Sequence, residues 1–364
     1  MQKLKKNKVM VAMSGGVDSS VAAYLLLKQG YDVAGATMQV GDLYNNEKNQ
    51  SCGSDLALED AKNVCFKLGI PHYVFDFSKE MEENIVKNFI NTYLNGRTPN
   101  PCIECNRIIK FGILLEKAIS MGFDFIATGH YASILECNGN YFLAKAADKT
   151  KDQSYFLYRI KKETLPFIKF PLSNYKKQEV RDIAKQAGLS VAEKGESQEV
   201  CFITKKSYHE FIEDRIGKDF NKPGNIVNTD GKVIGKHKGV AFYTIGQRKG
   251  FGISHKAPLY VIEINVKKNE ITVGERSFLA RKSLIATDLN WFTDNIPQKA
   301  LAKIRYNHKE AECTLTCKDS DNIDGSKEVK EVLVDFLVPQ ESVTPGQSIV
   351  FYDNEIVLGG GIIK

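Results

Sequence analysis

The chain has 364 residues, of which 43% are hydrophobic and 26% charged, with a formal net charge of +6. This composition excludes a disordered or fibrous chain and supplies enough apolar material for two or three domains of about 100–200 residues each. No apolar run approaches the ~18 residues of a membrane span, and eight cysteines without a secretory leader do not read as a disulfide framework. A cytoplasmic protein that meets no membrane is expected, and its modest positive charge favours an anionic partner.

Val9–Met13 is a short apolar run that predicts a first strand. It leads through SGGVDSS into a helix over 18–29, where Val21, Ala22, Leu25 and Leu26 share a face and Gly30 closes the last turn. A second strand is expected at 32–40. A second helix should start at Ser54 and turn Leu56, Ala57, Ala61, Val64, Cys65 and Leu68 inward. A third strand (72–77) and a third helix (80–94) follow. NPCIECN, residues 100–106, reads as a cysteine-bearing loop before a helix over 108–119 and the strand FDFIAT. This alternation predicts an α/β fold, a Rossmann-like parallel sheet with helices on both faces.

The pattern changes near residue 205. One more helix is expected at 207–217, residues 221–252 are rich in glycine and lysine, and strands dominate from Ala257 onward. Short strands punctuated by PG and DN turns predict a small barrel or sandwich. The expected division is an α/β domain (1–205), a small central linker domain (206–275) and a C-terminal β-barrel (276–364).

Gly15 and Gly16 lie between a strand and a helix, where backbone N–H groups and the helix dipole favour an anion. Ser14, Ser19 and Ser20 add hydroxyl donors. The string is neither a Walker A loop nor GxGxxG. Asp18 would repel phosphate unless a cation bridged the two, and its plainer reading is a helix cap. As a whole, SGGVDSS after a strand resembles the PP-loop of ATP pyrophosphatases, which split ATP between its α- and β-phosphates and adenylylate a substrate. That resemblance implies that Ala12, Met13, Ser14, Gly15, Gly16, Val17, Asp18 and Ser19 hold pyrophosphate. Met38 and Gly129 would border the adenine or ribose, and Asp18 would work with Mg2+.

RTPNPCIECNRIIKFG, ATGHYA, KDQSYFLY, GQRKGFGI and TPGQSIVFY follow in order along the chain. Together with SGGVDSS they resemble the tRNA-specific 2-thiouridylases, over essentially the whole chain. The resemblance implies ATP-dependent replacement of O2 of the wobble uridine by sulfur. It makes Cys105 and Cys201 the catalytic cysteines, Cys201 carrying persulfide, and it lines the target base with Asn100, Pro101 and position 102. His130, Lys151, Asp152 and Gln153 would touch the RNA nearby, and Arg305, Tyr306 and Gln347 the anticodon arm of the tRNA. Arg248 and Lys249, among glycines, suit an RNA backbone clamp. Sulfur would come from a cysteine desulfurase, a relay protein or free sulfide.

The chain departs from the family at Cys102, where aspartate is usual. Three thiols, Cys102, Cys105 and Cys201, suggest a [4Fe–4S] cluster with one open iron. A zinc site completed by Cys52 competes with it, and the two-cysteine persulfide route needs neither. Cys65 is expected in a helical core and Cys137 beside a turn, while Cys313 and Cys317 are too far apart on one strand to share a metal. Two other functions stand beside thiolation. One is a PP-loop ligase acting on a small metabolite, which would cleave ATP without RNA. The other is a non-catalytic RNA-binding protein with a structural metal.

Overall fold

The computed structural model describes residues 7–40, 54–195, 200–203, 207–217, 222–321 and 327–364. These form two compact units, one of residues 1–85, 101–204 and 355–357 and the other of 86–100, 205–354 and 358–364.

In the first unit the elements run β1 (Lys8–Ala12), α1 (Val17–Lys28), β2 (Asp32–Gln39), α2 (Asp55–Leu68) and β3 (His72–Asp76). A helix follows as α3 (Ser78–Met81), widens into a π turn (Glu82–Val86) and continues as α4 (Lys87–Leu94), which is counted with the second unit. Next come α5 (Pro101–Glu104), a π-helical run (Cys105–Leu114), α6 (Leu115–Ser120), β4 (Phe125–Ala127), the hairpin β5 (Ala132–Cys137) and β6 (Asn140–Lys145), β7 (Ile168–Lys169) and α7 (Lys177–Gln186).

The parallel sheet has the order β3-β2-β1-β4-β7. Its strands read as near-continuous apolar runs because both faces are covered: Val9, Val11, Val33, Val21, Ala22, Leu26, Ala61, Val64 and Cys65 fill one core. Ser54 caps α2 by accepting from the Ala57 N–H at 3.3 Å, and Gly69 ends it at φ 67°. Leu56, expected inward, is instead exposed, because it sits in the first turn outside the stripe formed by Ala57, Ala61, Val64 and Cys65. Asn138 and Gly139, both at positive φ, make the two-residue turn of the β5–β6 hairpin.

In the second unit, α4 stacks on α8 (Tyr208–Ile216), with the Tyr93 and Tyr208 rings 4.5 Å apart. β8 (Gly224–Val227), β9 (Val233–His237), β10 (Tyr260–Asn265) and β11 (Glu270–Gly274) form a sheet of order β10-β11-β8-β9. Ile226, Tyr243, Val261, Ile271 and Val273 pack its core. β12 (Ala280–Trp291), β13 (Lys299–Lys303), β14 (Ala311–Asp321), β15 (Lys327–Glu341), β16 (Ser348–Asp353) and β17 (Ile356–Ile363) follow. They run in the order β12-β15-β14-β13-β16-β17, and pairing of β12 with β17 closes them into a six-stranded barrel. Closure decides between the barrel and the sandwich, and it removes the sheet's free edges. Among the described residues no helix is long and apolar enough to cross a membrane.

Candidate active site: a nucleotide loop and a cysteine-bearing helix

β1 has β2 on one side and β4 on the other, so the chain reverses its winding there. Ligands of such sheets bind at the carboxyl ends of the strands at that point. Ala12–Ser19 leaves the end of β1, Met38 lies near the end of β2, and Gly129 follows β4. Gly15 takes φ 68°, and a Cβ there would lie 2.3 Å from the Ala57 carbonyl oxygen, so α2 presses on the turn. A Cβ on Gly129 would meet the Ser19 nitrogen at 2.6 Å, which puts this backbone directly against the first turn of α1. Ser19 Oγ accepts from the Ser14 N–H (3.1 Å) and donates to the Gly16 carbonyl (3.2 Å); Ser20 Oγ donates to the same carbonyl at 2.8 Å. These hydroxyls shape the turn at the N-terminal end of α1, where a helix dipole favours an anion.

The cation that Asp18 needs is a residue the sequence did not single out. Lys177 Nζ lies 2.8 Å from both carboxylate oxygens, and the Tyr131 hydroxyl donates to Oδ1 at 2.9 Å. Lys194 Nζ donates to the Gly15 carbonyl at 3.0 Å and pairs with Asp60 at 2.6 Å. Tyr131 lay inside the ATGHYA string. Lys177 and Lys194 are ordinary lysines in sequence, with no periodicity or spacing to mark them.

Residues 100–106, expected as a loop, begin a helix. Pro101 suits a first helical position, where its missing N–H costs nothing. Cys102 is exposed and Cys105 half-buried, three positions apart and so on one side of the turn. Ile103 and Asn106, each the residue after one of these cysteines, are buried. Glu104 accepts from Arg107 and Arg159, each at 2.6 Å, with only 14% and 10% of the Glu104 and Arg159 side chains exposed. Asn106 Nδ2 donates to the Phe156 carbonyl at 3.0 Å. The cysteine helix is thus fastened to residues 156–159, which fall in the KDQSYFLY stretch and just after it.

Cys201 is half-buried in a turn. Among the described residues no three Cys, His, Asp or Glu side chains gather as a metal-holding group, so Cys102, Cys105 and Cys201 do not form a ligand triad here. Cys52 lies outside the described residues. Burial pushes the Cys65 thiol up to about 11 and that of Cys313 up to about 12, which keeps both unreactive.

Of the residues expected to touch RNA, His130 sits between Phe111 and Phe170 with Nδ1 2.7 Å from Thr128 Oγ1. Burial, helped by the Lys110 ammonium, holds its pKa well below the usual imidazole value, so it offers a neutral ring rather than a phosphate-binding cation. Asp152 is buried, accepting from Ala146 N, Ser154 N and Ser154 Oγ, and its carboxylate shapes the turn that carries Lys151 and Gln153. Gln153 Oε1 accepts from Tyr131 N at 3.0 Å.

In the second unit, Arg305 donates to the Glu341 carbonyl at 3.2 Å, and the Lys303 ammonium lies 5.8 Å from the Tyr306 ring centroid. Arg248 and Lys249 are exposed. Gln347 Nε2 donates to the Thr98 and Pro99 carbonyls at 3.1 and 3.0 Å. Arg97 donates to the Ile363 carbonyl at 2.8 Å, and Thr98 N–H to that of Pro345 at 2.9 Å. Residues 97–99, just before Asn100, are therefore held by the TPGQ turn and the closing strand of the barrel.

A parallel sheet with an anion-ready turn at its switch point defines the class of HUP-type nucleotide-binding α/β proteins. Residues 7–205 match the family described as tRNA methyl transferase HUP domain, 209–275 its PRC-barrel domain, and 281–363 the aminomethyltransferase beta-barrel domain. Full-length relatives are named tRNA-specific 2-thiouridylase MnmA. That of Syntrophus aciditrophicus is 46% identical over 100% of this chain and 94% of its own. That of Acetivibrio thermocellus is 47% identical over 99% and 100%, and one from a Thermoanaerobacter species is 48% identical over 98% of both. The chain belongs to the tRNA-specific 2-thiouridylase family.

Proposed function

We propose that this protein is an ATP-dependent tRNA-uridine 2-sulfurtransferase acting on the wobble uridine. The observation that carries this reading is one parallel-sheet unit that bears both a polyphosphate-type turn at its switch point and a helix with exposed and half-buried cysteines. Residues 12–19, with Met38 and Gly129 beside them, take ATP. O2 of the uridine attacks the α-phosphorus, the α–β bond breaks, and pyrophosphate leaves. This step is needed because a carbonyl oxygen leaves poorly until it becomes AMP.

The terminal sulfur of a Cys201 persulfide then attacks C2, the C2–O2 bond breaks, and AMP departs. Cys105 thiolate attacks Cys201 Sγ, which leaves the sulfur on C2 and joins the two cysteines as a disulfide. An external thiol reduces that disulfide, and a cysteine desulfurase or relay protein renews the persulfide. The persulfide route is preferred to a [4Fe–4S] cluster because the three thiols are not gathered as ligands. Cys102, beside Asn100 and Pro101, borders the target base.

Both Asp18 oxygens are taken by Lys177 and Tyr131, so Asp18 does not fit as a metal ligand in this arrangement, and magnesium is assigned to the substrate as the counter-ion of ATP. Lys151 and Gln153, on the turn shaped by Asp152, face the RNA with neutral His130, while Arg305 and Tyr306 suit phosphate contact and base stacking on the anticodon arm. A tRNA substrate places the reaction in the cytoplasm.

The test supplies tRNA, ATP and a persulfide donor, and measures 2-thiouridine, AMP and pyrophosphate. One AMP per sulfur is expected. Cys105→Ala and Cys201→Ala should each abolish sulfur incorporation while tRNA binding survives, and normal thiolation in either variant removes that cysteine from the scheme. AMP formation without RNA points to a ligase on a small metabolite, and methyl incorporation in place of sulfur sinks the proposal outright.

A further inference from the structure

Two residues make the same double connection. Lys177 holds both oxygens of Asp18 with its ammonium at 2.8 Å, while its main-chain N–H donates to Asp148 Oδ2 at 3.0 Å. The Tyr131 hydroxyl donates to Asp18 Oδ1 at 2.9 Å, while its main-chain N–H donates to Gln153 Oε1 (3.0 Å) and its carbonyl accepts from the Gln153 N–H (2.7 Å). The turn between these anchor points is closed on itself: Asp148 Oδ1 accepts from Thr150 N and Oγ1, and the Lys151 N–H donates to the Asp148 carbonyl. One carboxylate of the nucleotide loop is thus gripped by two side chains whose own backbones hold the two ends of residues 148–153.

We propose that Lys177 and Tyr131 are positioning residues that couple Asp18 to the 148–153 turn, so that RNA seated on this turn tightens the hold on ATP. The inference rests on reading residues 151–153 as an RNA contact. A bare carboxylate in a polyphosphate loop repels the ligand, and the repulsion is cancelled only while the Lys177 ammonium stays on it. RNA that fixes the turn fixes the backbone of Lys177 and Tyr131, and so keeps their side chains on Asp18. A second ligand then binds a loop whose ordering is already done. Linkage makes the effect reciprocal, so ATP must tighten RNA by the same factor.

The experiment measures the Kd of α,β-methylene-ATP for the full chain, with and without an anticodon stem-loop RNA. In the wild type, RNA should tighten the analogue by about fivefold or more, and the analogue should tighten RNA equally. Tyr131→Phe, which keeps the ring and backbone, and Lys177→Met should each reduce the factor below about twofold while still binding the stem-loop; Lys177→Arg should retain part of it. Wild-type protein that binds both ligands without linkage, or variants that keep the full factor, overturns the inference. Wild-type protein that binds neither ligand overturns the function proposed above instead.

Discussion

At the scale of single residues, the nucleotide loop depends on positions with no room for a side chain. Gly129→Ala would drive a methyl to 2.6 Å from the Ser19 nitrogen, a backbone atom of α1 that cannot turn aside. The expected outcome is a destabilisation of about 1–3 kcal/mol and a loss of ATP affinity, read by thermal melting and calorimetric titration. Gly30→Ala is the control. Its φ is 89° but nothing lies within 4 Å of the added carbon, so it should cost roughly 1–2 kcal/mol of backbone strain and leave ATP affinity alone. Gly15, Gly16 and Asp18 were legible in the sequence because they fall in one contiguous string, SGGVDSS, between a strand and a helix. Their charged partners were not: Lys177 reaches Asp18 across 159 positions, and Lys194 reaches Gly15 across 179. No local pattern records such pairings.

At the scale of elements, the strand–helix alternation was readable because each strand carries a dense apolar run and each helix an apolar stripe. The cysteine segment was misread as a loop, since Asn100, Pro101 and two nearby cysteines look like turn chemistry. Proline at the start of a helix is equally good chemistry, and what selects the helix is tertiary: Ile103 is buried, Asn106 reaches Phe156, and Glu104 binds two arginines. Glu104→Gln would leave the Arg159 guanidinium buried without its carboxylate, a loss on the order of 3 kcal/mol. The variant should lower the urea midpoint and slow thiolation, with α,β-methylene-ATP binding retained. Unchanged thiolation would mean that the two arginines do not set the position of the cysteine helix.

At the scale of the whole molecule, His72, His130, His209, His237 and His308 all have pKa values below the usual imidazole value, with burial the main cause in each. In the unfolded chain each titrates near about 6.5, so below that pH the unfolded state binds more protons. Stability present in full above pH ~6.5 is therefore lost as pH falls, and the melting temperature should drop between pH of about 7.5 and 5.5. A flat profile would contradict the buried, neutral histidines. The strands of the barrel were visible in the sequence, but its closure was not, because it rests on pairs such as Ala286 with Ile363. The same long reach governs Thr98 and Pro99, whose carbonyls are held by Gln347, 249 and 248 positions later, and their neighbour Arg97, held by Ile363 across 266. On the ribosome, residues 97–99 must wait for those partners to be made. A nascent chain can bury the parallel-sheet core early, yet it cannot lock residues 97–99 until translation has passed residue 363. Fragments released before Gln347 is made would lack every one of these bonds to residues 97–99, however complete their parallel-sheet core.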